Sequence, residues 1–189
     1  MIWESYYWKK DLLSYAKKLE KRKEQNKWFD SSYANMEKEI MISSFMIRKL
    51  FDSDKIDKRL DEQKIEVISY KSNGKKINKM KNIFPDRYFE LEKPTKVKIK
   101  VRDICNQIIH SYIFNPLMNE NNNLQAIWFA SDYTKFKQLI ELNIENYIDI
   151  LNQIGNYWST SEHYIFDDKK GDYEVYHDLK LKNKVPNKV

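Results

Sequence analysis

The chain has little with which to lock or ligate itself. It contains a single cysteine, Cys105, so an internal disulfide framework and a four-cysteine zinc site are excluded. A reducing, cytoplasmic setting follows as the expectation. His163 and His177 lie far apart, and neither has metal-ligand spacing to a cysteine or a second histidine. The stretch DDKKGD, Asp167 to Asp172, lacks the alternating ligands and final glutamate of a calcium loop and reads as a turn. The three glycines, Gly74, Gly155 and Gly171, are isolated from one another, which excludes a phosphate-cradling glycine loop. No metal and no cofactor is expected. Nowhere do eighteen apolar residues run together, and the start has no basic region followed by a long apolar one, so neither export nor a membrane span is expected.

What is present suffices for a packed interior. Thirteen tyrosines, nine phenylalanines and five tryptophans in 189 residues argue against a disordered chain and for one domain, residues 1–177, followed by a basic tail at 178–189. Lys+Arg 34 against Asp+Glu 28 leaves a formal charge of +6, interleaved with acids along the chain. Such a balance favours polyanions such as nucleic acid only weakly.

Periodicity predicts an α+β fold of four main helices with two β-hairpin regions inserted between them. Trp8, Leu12, Leu13, Tyr15, Ala16 and Leu19 recur at helical spacing within residues 2–27. Capping oxygens in DSSY, Asp30 to Tyr33, precede a second helix over 33–51, whose stripe is Met36, Ile40, Ser43, Ile47 and Leu50. Ser43 and Ser44 are small enough for another helix to approach, and Arg48 lies at the stripe's edge. After a charged connector the pattern alternates. IEVISY and a short IN flank Asn73-Gly74, a pair suited to a tight hairpin, and RYFELE and KVKIKV continue the alternation. Helical spacing returns at Val101, Ile104, Cys105, Ile108, Ile109 and Tyr112, and Asn115-Pro116 should end that third helix. LQAIWFAS and KQLIELNI read as strands joined by DYTKF, and ENYIDILNQIG as a fourth helix stopped by Gly155. Beyond Tyr157 only YEVY suggests a strand.

The third helix poses a chemical question. Asn106 and His110 stand one turn apart in an otherwise apolar segment, about 40° apart around the axis, so they share a face. Two polar groups there require hydrogen-bond partners or an open cleft. The segment NQIIH resembles the motif helix of the HEPN superfamily of bacterial toxins and defence ribonucleases. In that family an arginine, usually followed by Asn, Asp or His, precedes the histidine with four to six intervening residues. In this chain Cys105 stands where the arginine belongs, and Arg102 has seven intervening residues. The resemblance implies metal-independent RNA cleavage, with the 2'-hydroxyl attacking the adjacent phosphate. His110 would move the proton, since an imidazole ordinarily titrates at about pH 6.5. Asn106 would orient, and Arg102 or Arg48 would substitute for the missing cation on the developing phosphorane.

Two functional readings follow. The first is a binding or regulatory module without catalysis, HEPN-like or not, whose partner is a second copy or another protein. The second is a HEPN-like ribonuclease or toxin of a bacterial-type defence system, acting on RNA. The surroundings of His110 decide between them.

Overall fold

A computed structural model describes residues 2–80, 82 and 84–177. Five strands form one antiparallel sheet: β1 (Lys64–Lys71), β2 (Thr95–Lys100), β3 (Ser111–Met118), β4 (Leu124–Ser131) and β5 (Gln138–Asn143), in the spatial order β2-β1-β5-β4-β3. Alternation along the strands gives the sheet two apolar faces. Val67, Ile127, Phe129, Ile140 and Leu142 point into the larger core beneath the helices. Tyr70, Ile113, Ala130 and Leu139 point the other way, where Ile77, Tyr88 and Phe89 from the long connection after β1 cover them. Burial on both faces explains why β4 reads as a nearly continuous apolar run instead of an alternating one. On the second face Glu141 accepts hydrogen bonds from the Tyr70 hydroxyl (2.8 Å) and Trp128 Nε1 (2.7 Å).

The helices are α1 (Ser5–Glu24), α2 (Asp30–Asp52), the single turn α3 (Lys58–Asp61), α4 (Val101–Ile109) and α5 (Ile144–Gly155). Both α4 and α5 lie on the sheet, with α2 packed on α4 and α1 on α5. The buried stripe of α1 is Leu12, Ala16 and Leu19; that of α2 includes Met36, Ile40, Ile47 and Leu50. Ser43 and Ser44 receive the side chain of Tyr147 from α5, whose phenol oxygen lies 2.7 Å from each hydroxyl and donates to the Ile40 carbonyl at 3.0 Å. Gly155 is the last helical residue of α5. A Cβ there would stand 2.7 Å from Leu13 Cγ, so the glycine serves the close approach of α1 to α5 and not a left-handed cap. A separate hairpin, β6 (Glu162–Asp167) and β7 (Asp172–His177), completes the described chain.

Both sheet edges discourage further pairing. The β2 edge carries Lys96, Lys98 and Lys100, and the β3 edge carries Pro116 and two register irregularities.

The α+β class and the elements at LQAIWFAS, KQLIELNI, ENYIDILNQIG and YEVY stand as the periodicity predicts. Several expectations are corrected, among them the stretch after Tyr157, where Glu162–Asp167 also forms a strand, β6, paired with β7. Asn73-Gly74 does turn the chain, with Gly74 at φ +83°, but β1 pairs with β2 and β5, and IN forms no strand because the turn leads into the cover of the second sheet face. RYFELE is not a strand either: a 3-10 turn at Pro85–Arg87 starts it and one isolated bridge, Ser72 to Phe89, is its link to the sheet's margin. The third helix ends at Ile109. Tyr112 and Ile113 belong to β3 and pack on the second face, and Pro116 is tolerated as an edge-strand residue. DSSY supplies no cap: Phe29 is the N-cap and makes no side-chain hydrogen bond to the helix. The charged connector also holds more than expected, since Ile56 and Asp57 are buried and α3 lies within it. The 178–189 tail lies outside the described residues.

Candidate functional site

On α4 the buried stripe is Val101, Ile104, Cys105 and Ile108. Apart from Arg102, the polar positions Asp103, Asn106, Gln107 and His110 recur at i, i+3, i+4 and i+7, so they form a second stripe along the helix. That stripe lines an open cleft of about 1120 Å³, together with Lys64 of β1, Lys98, Ile99 and Lys100 at the end of β2, the Ser131–Thr134 turn, and Gln138 at the start of β5. The stripe's seven-residue span is about 10.5 Å long at the helical rise of 1.5 Å per residue.

Several contacts hold the walls. Because β2 runs directly into α4, Lys100 becomes the helix N-cap residue and the two walls share a corner. Its ammonium pairs with Glu62 at 2.5 Å. Thr134 N donates to Ser131 Oγ at 3.2 Å and Ser131 N to Thr134 Oγ1 at 2.9 Å, closing the turn. Thr134 Oγ1 reaches Gln107 Oε1 at 3.2 Å and so fixes that amide. Lys64 and Lys98 have no carboxylate in ion-pair contact among the described residues.

His110 is the first residue beyond α4. Its backbone N–H donates to the Asn106 carbonyl at 3.0 Å, and its side chain is exposed at the cleft. It also borders a smaller pocket of about 280 Å³ with Phe45, Arg48, Lys49, Asp52 and Ile109. Asn106 accepts a hydrogen bond through Oδ1 from Arg48 Nη1. Arg48 Nε lies 3.2 Å from Asp52. Of the four candidate residues, Asn106 and His110 thus line the cleft, Arg48 and His110 border the smaller pocket, and Arg48 is bonded to Asn106.

Arg102 is not with them. Its Nε donates to both Asp61 oxygens at 2.7 and 2.8 Å, its Nη2 lies 2.7 Å from Asp61, and its Nη1 reaches Asp52 at 2.5 Å. The bond to Asp61, working against burial and aided by Asp52, holds the guanidinium above its ordinary pKa. Burial raises the Asp52 carboxyl, but the Arg102 and Arg48 guanidiniums outweigh it and hold Asp52 below the usual carboxylate value. Asp52 is therefore a shared counter-ion for both arginines. Cys105, where the HEPN-like motif would have its arginine, is fully buried, and burial pushes its thiol up to about 12. A neutral, enclosed thiol is not a nucleophile.

Sequence reasoning found the Asn106 and His110 pair but missed the full stripe. Asp103 and Gln107 carried a usable signal, because the polar positions repeat with the same period as the apolar ones. The lysines of β1 and β2 and the Ser131–Thr134 turn carried none, since only sheet pairing and the β4–β5 connection bring them to α4.

Among the described residues no group of three or more His, Cys, Asp or Glu side chains is placed to hold a metal ion, and no helix is long and apolar enough to cross a membrane. Comparison of the chain with protein-family models, curated proteins and solved structures gives no match.

Proposed function

We propose that the chain is a non-catalytic binding module whose ligand occupies the cleft along α4. One observation carries this reading. Both guanidiniums that could stabilise a phosphorane near His110 are held within the protein, Arg102 by Asp61 and Asp52, Arg48 by Asp52 and Asn106. Meanwhile Lys64 and Lys98 in the cleft have no carboxylate in ion-pair contact among the described residues, and the Asn106 and Gln107 amides, whose oxygens are taken by Arg48 and Thr134, keep their nitrogens as donors, a set suited to recognition. An extended ligand with anionic groups fits, because Lys64 and Lys98 provide charge along one wall and the polar stripe provides hydrogen bonds along the other.

The test is binding of a labelled uridine decamer and a glutamate decamer to the full chain in EDTA. The expected result is binding that weakens with salt and falls at least about tenfold in Lys98→Glu, the scale of one lost charge contact, without RNA cleavage. Unaltered binding in Lys98→Glu would remove the cleft from the reading.

A second reading rests on the exposure of His110 beside Arg48. In it the chain cleaves RNA without metal, as the resemblance to the HEPN superfamily implies, with His110 transferring the proton. Cleavage in EDTA that disappears in His110→Ala, with the circular dichroism spectrum unchanged, would favour this reading over the first.

A further inference from the structure

We propose that the turn from Asp132 to Lys137 is a stacking platform for the bases of a single-stranded polynucleotide lying in the cleft. This rests on the binding reading above and names its ligand class.

The turn holds two large rings in solvent. Tyr133 is 79% exposed and lines the cleft, and Phe136 is 52% exposed. The backbone beneath them is rigidly closed: Lys135 N donates to the Ser131 carbonyl at 2.9 Å, and Lys137 N and Gln138 N donate to the Thr134 carbonyl at 2.8 and 3.0 Å. Rings presented on a pre-ordered turn lose little conformational freedom on binding. Each ring also has an ammonium over it. Lys137 Nζ lies 4.0 Å from the Tyr133 centroid; Lys135 Nζ, which is paired with Asp132, lies 3.8 Å from the Tyr112 centroid and 5.2 Å from that of Phe136. At Tyr133, which is otherwise open to solvent, the Lys137 ammonium places a phosphate partner next to a base-stacking surface.

The cleft supplies the rest. Lys64, Lys98 and Lys100 line the cleft with Asp103 and Asp132; Lys100 is paired with Glu62 and Lys135 with Asp132, which leaves Lys64, Lys98 and Lys137 without a carboxylate in ion-pair contact among the described residues. On α4, Asn106 has its oxygen on Arg48 and Gln107 has its oxygen on Thr134, so both amides present their nitrogens. Amide N–H donors suit the carbonyl oxygens of unpaired bases. An acidic peptide would use the lysines and the amide donors but would leave the rings without partners.

Fluorescence anisotropy with the full chain tests the platform against four probes: a uridine decamer, a thymidine decamer, an abasic decamer of equal phosphate number, and a glutamate decamer. The two base-bearing strands are expected to bind at least about tenfold more tightly than the abasic strand, as stacking of one or more bases provides. Equal affinity for uridine and thymidine, or a preference for either, supports the platform and reports on the sugar. Tyr133→Ala should lower affinity for the uridine strand toward that of the abasic strand, and Tyr133→Trp should retain it. Because Tyr133 is so exposed, these variants should match the wild type in urea unfolding. The platform is overturned if the abasic or glutamate decamer binds as tightly as uridine, if no strand binds, or if Tyr133→Ala combined with Phe136→Ala changes nothing. Loss of glutamate-decamer binding in Lys98→Glu would still support the cleft in those cases, so the two failures are distinguishable.

Discussion

Replacing Arg102 with methionine asks whether this arginine belongs to structure or to function. Its guanidinium joins three elements, α4 through its own backbone, α3 through Asp61 and α2 through Asp52. Methionine keeps an unbranched stem and loses the guanidinium, whose carbon lies 5.6 Å from the centroid of the Phe51 ring. The substitution therefore removes mainly charge and hydrogen bonds. A fully exposed pair contributes about 0.2–1 kcal/mol, and removing one partner of a buried pair costs about 3–5 kcal/mol. With side-chain exposures of 28% for Arg102 and 14% for Asp61, the expected cost lies between these, at about 2 kcal/mol. For a chain of this length that lowers Tm by about 4–8 °C. A urea-unfolding cycle with Asp61→Asn should give a coupling of about 1 kcal/mol or more. The pH dependence has a definite sign. Asp52 is held below its ordinary 3.8, so the stability it contributes is complete above that pH and disappears as pH falls through the lower folded value. The gap between wild type and Arg102→Met should narrow over the same range. Stability of Arg102→Met within about 0.3 kcal/mol of wild type at pH 7, combined with loss of ligand binding or RNA cleavage, would refute the structural assignment.

Two other substitutions probe the helical layer. Tyr147→Phe removes the phenol shared by Ser43 and Ser44; Ser43 keeps its bond to the Glu39 carbonyl at 2.6 Å, so the main loss falls on the buried Ser44 hydroxyl. A cost of about 2 kcal/mol is expected from urea unfolding, and adding Ser43→Ala and Ser44→Ala should recover part of it, because a buried polar group left unpaired costs more than one removed. Gly155→Ala should destabilise by about 1–3 kcal/mol through the clash with Leu13, measured as a lowered Tm. A rise in Tm would show that α1 shifts freely on α5.

Local periodicity was enough to locate α1, α2, β4, β5 and α5, because each buries a stripe or face whose spacing is set by backbone geometry alone. The same holds for the polar pair of α4, which stands out against its apolar neighbours. Strand pairing was not legible. Asn73-Gly74 has the local chemistry of a hairpin, yet β1 gains a longer partner in β2, and the intervening segment gains more by burying Ile77, Tyr88 and Phe89 on the sheet. Nor was the end of α4 legible, since Tyr112 continues the helical spacing while its ring packs on the opposite face of the sheet. The state of the two arginines was likewise decided in three dimensions. Asp52 and Asp61 precede Arg102 by 50 and 41 residues, and no local pattern tells a guanidinium held by distant carboxylates from one facing solvent. Short-range spacing thus determined which side chains share a helix or strand. Only the packing of α2, α3 and α4, and the pairing of β1 with β2, decided which charges are neutralised and which line the cleft.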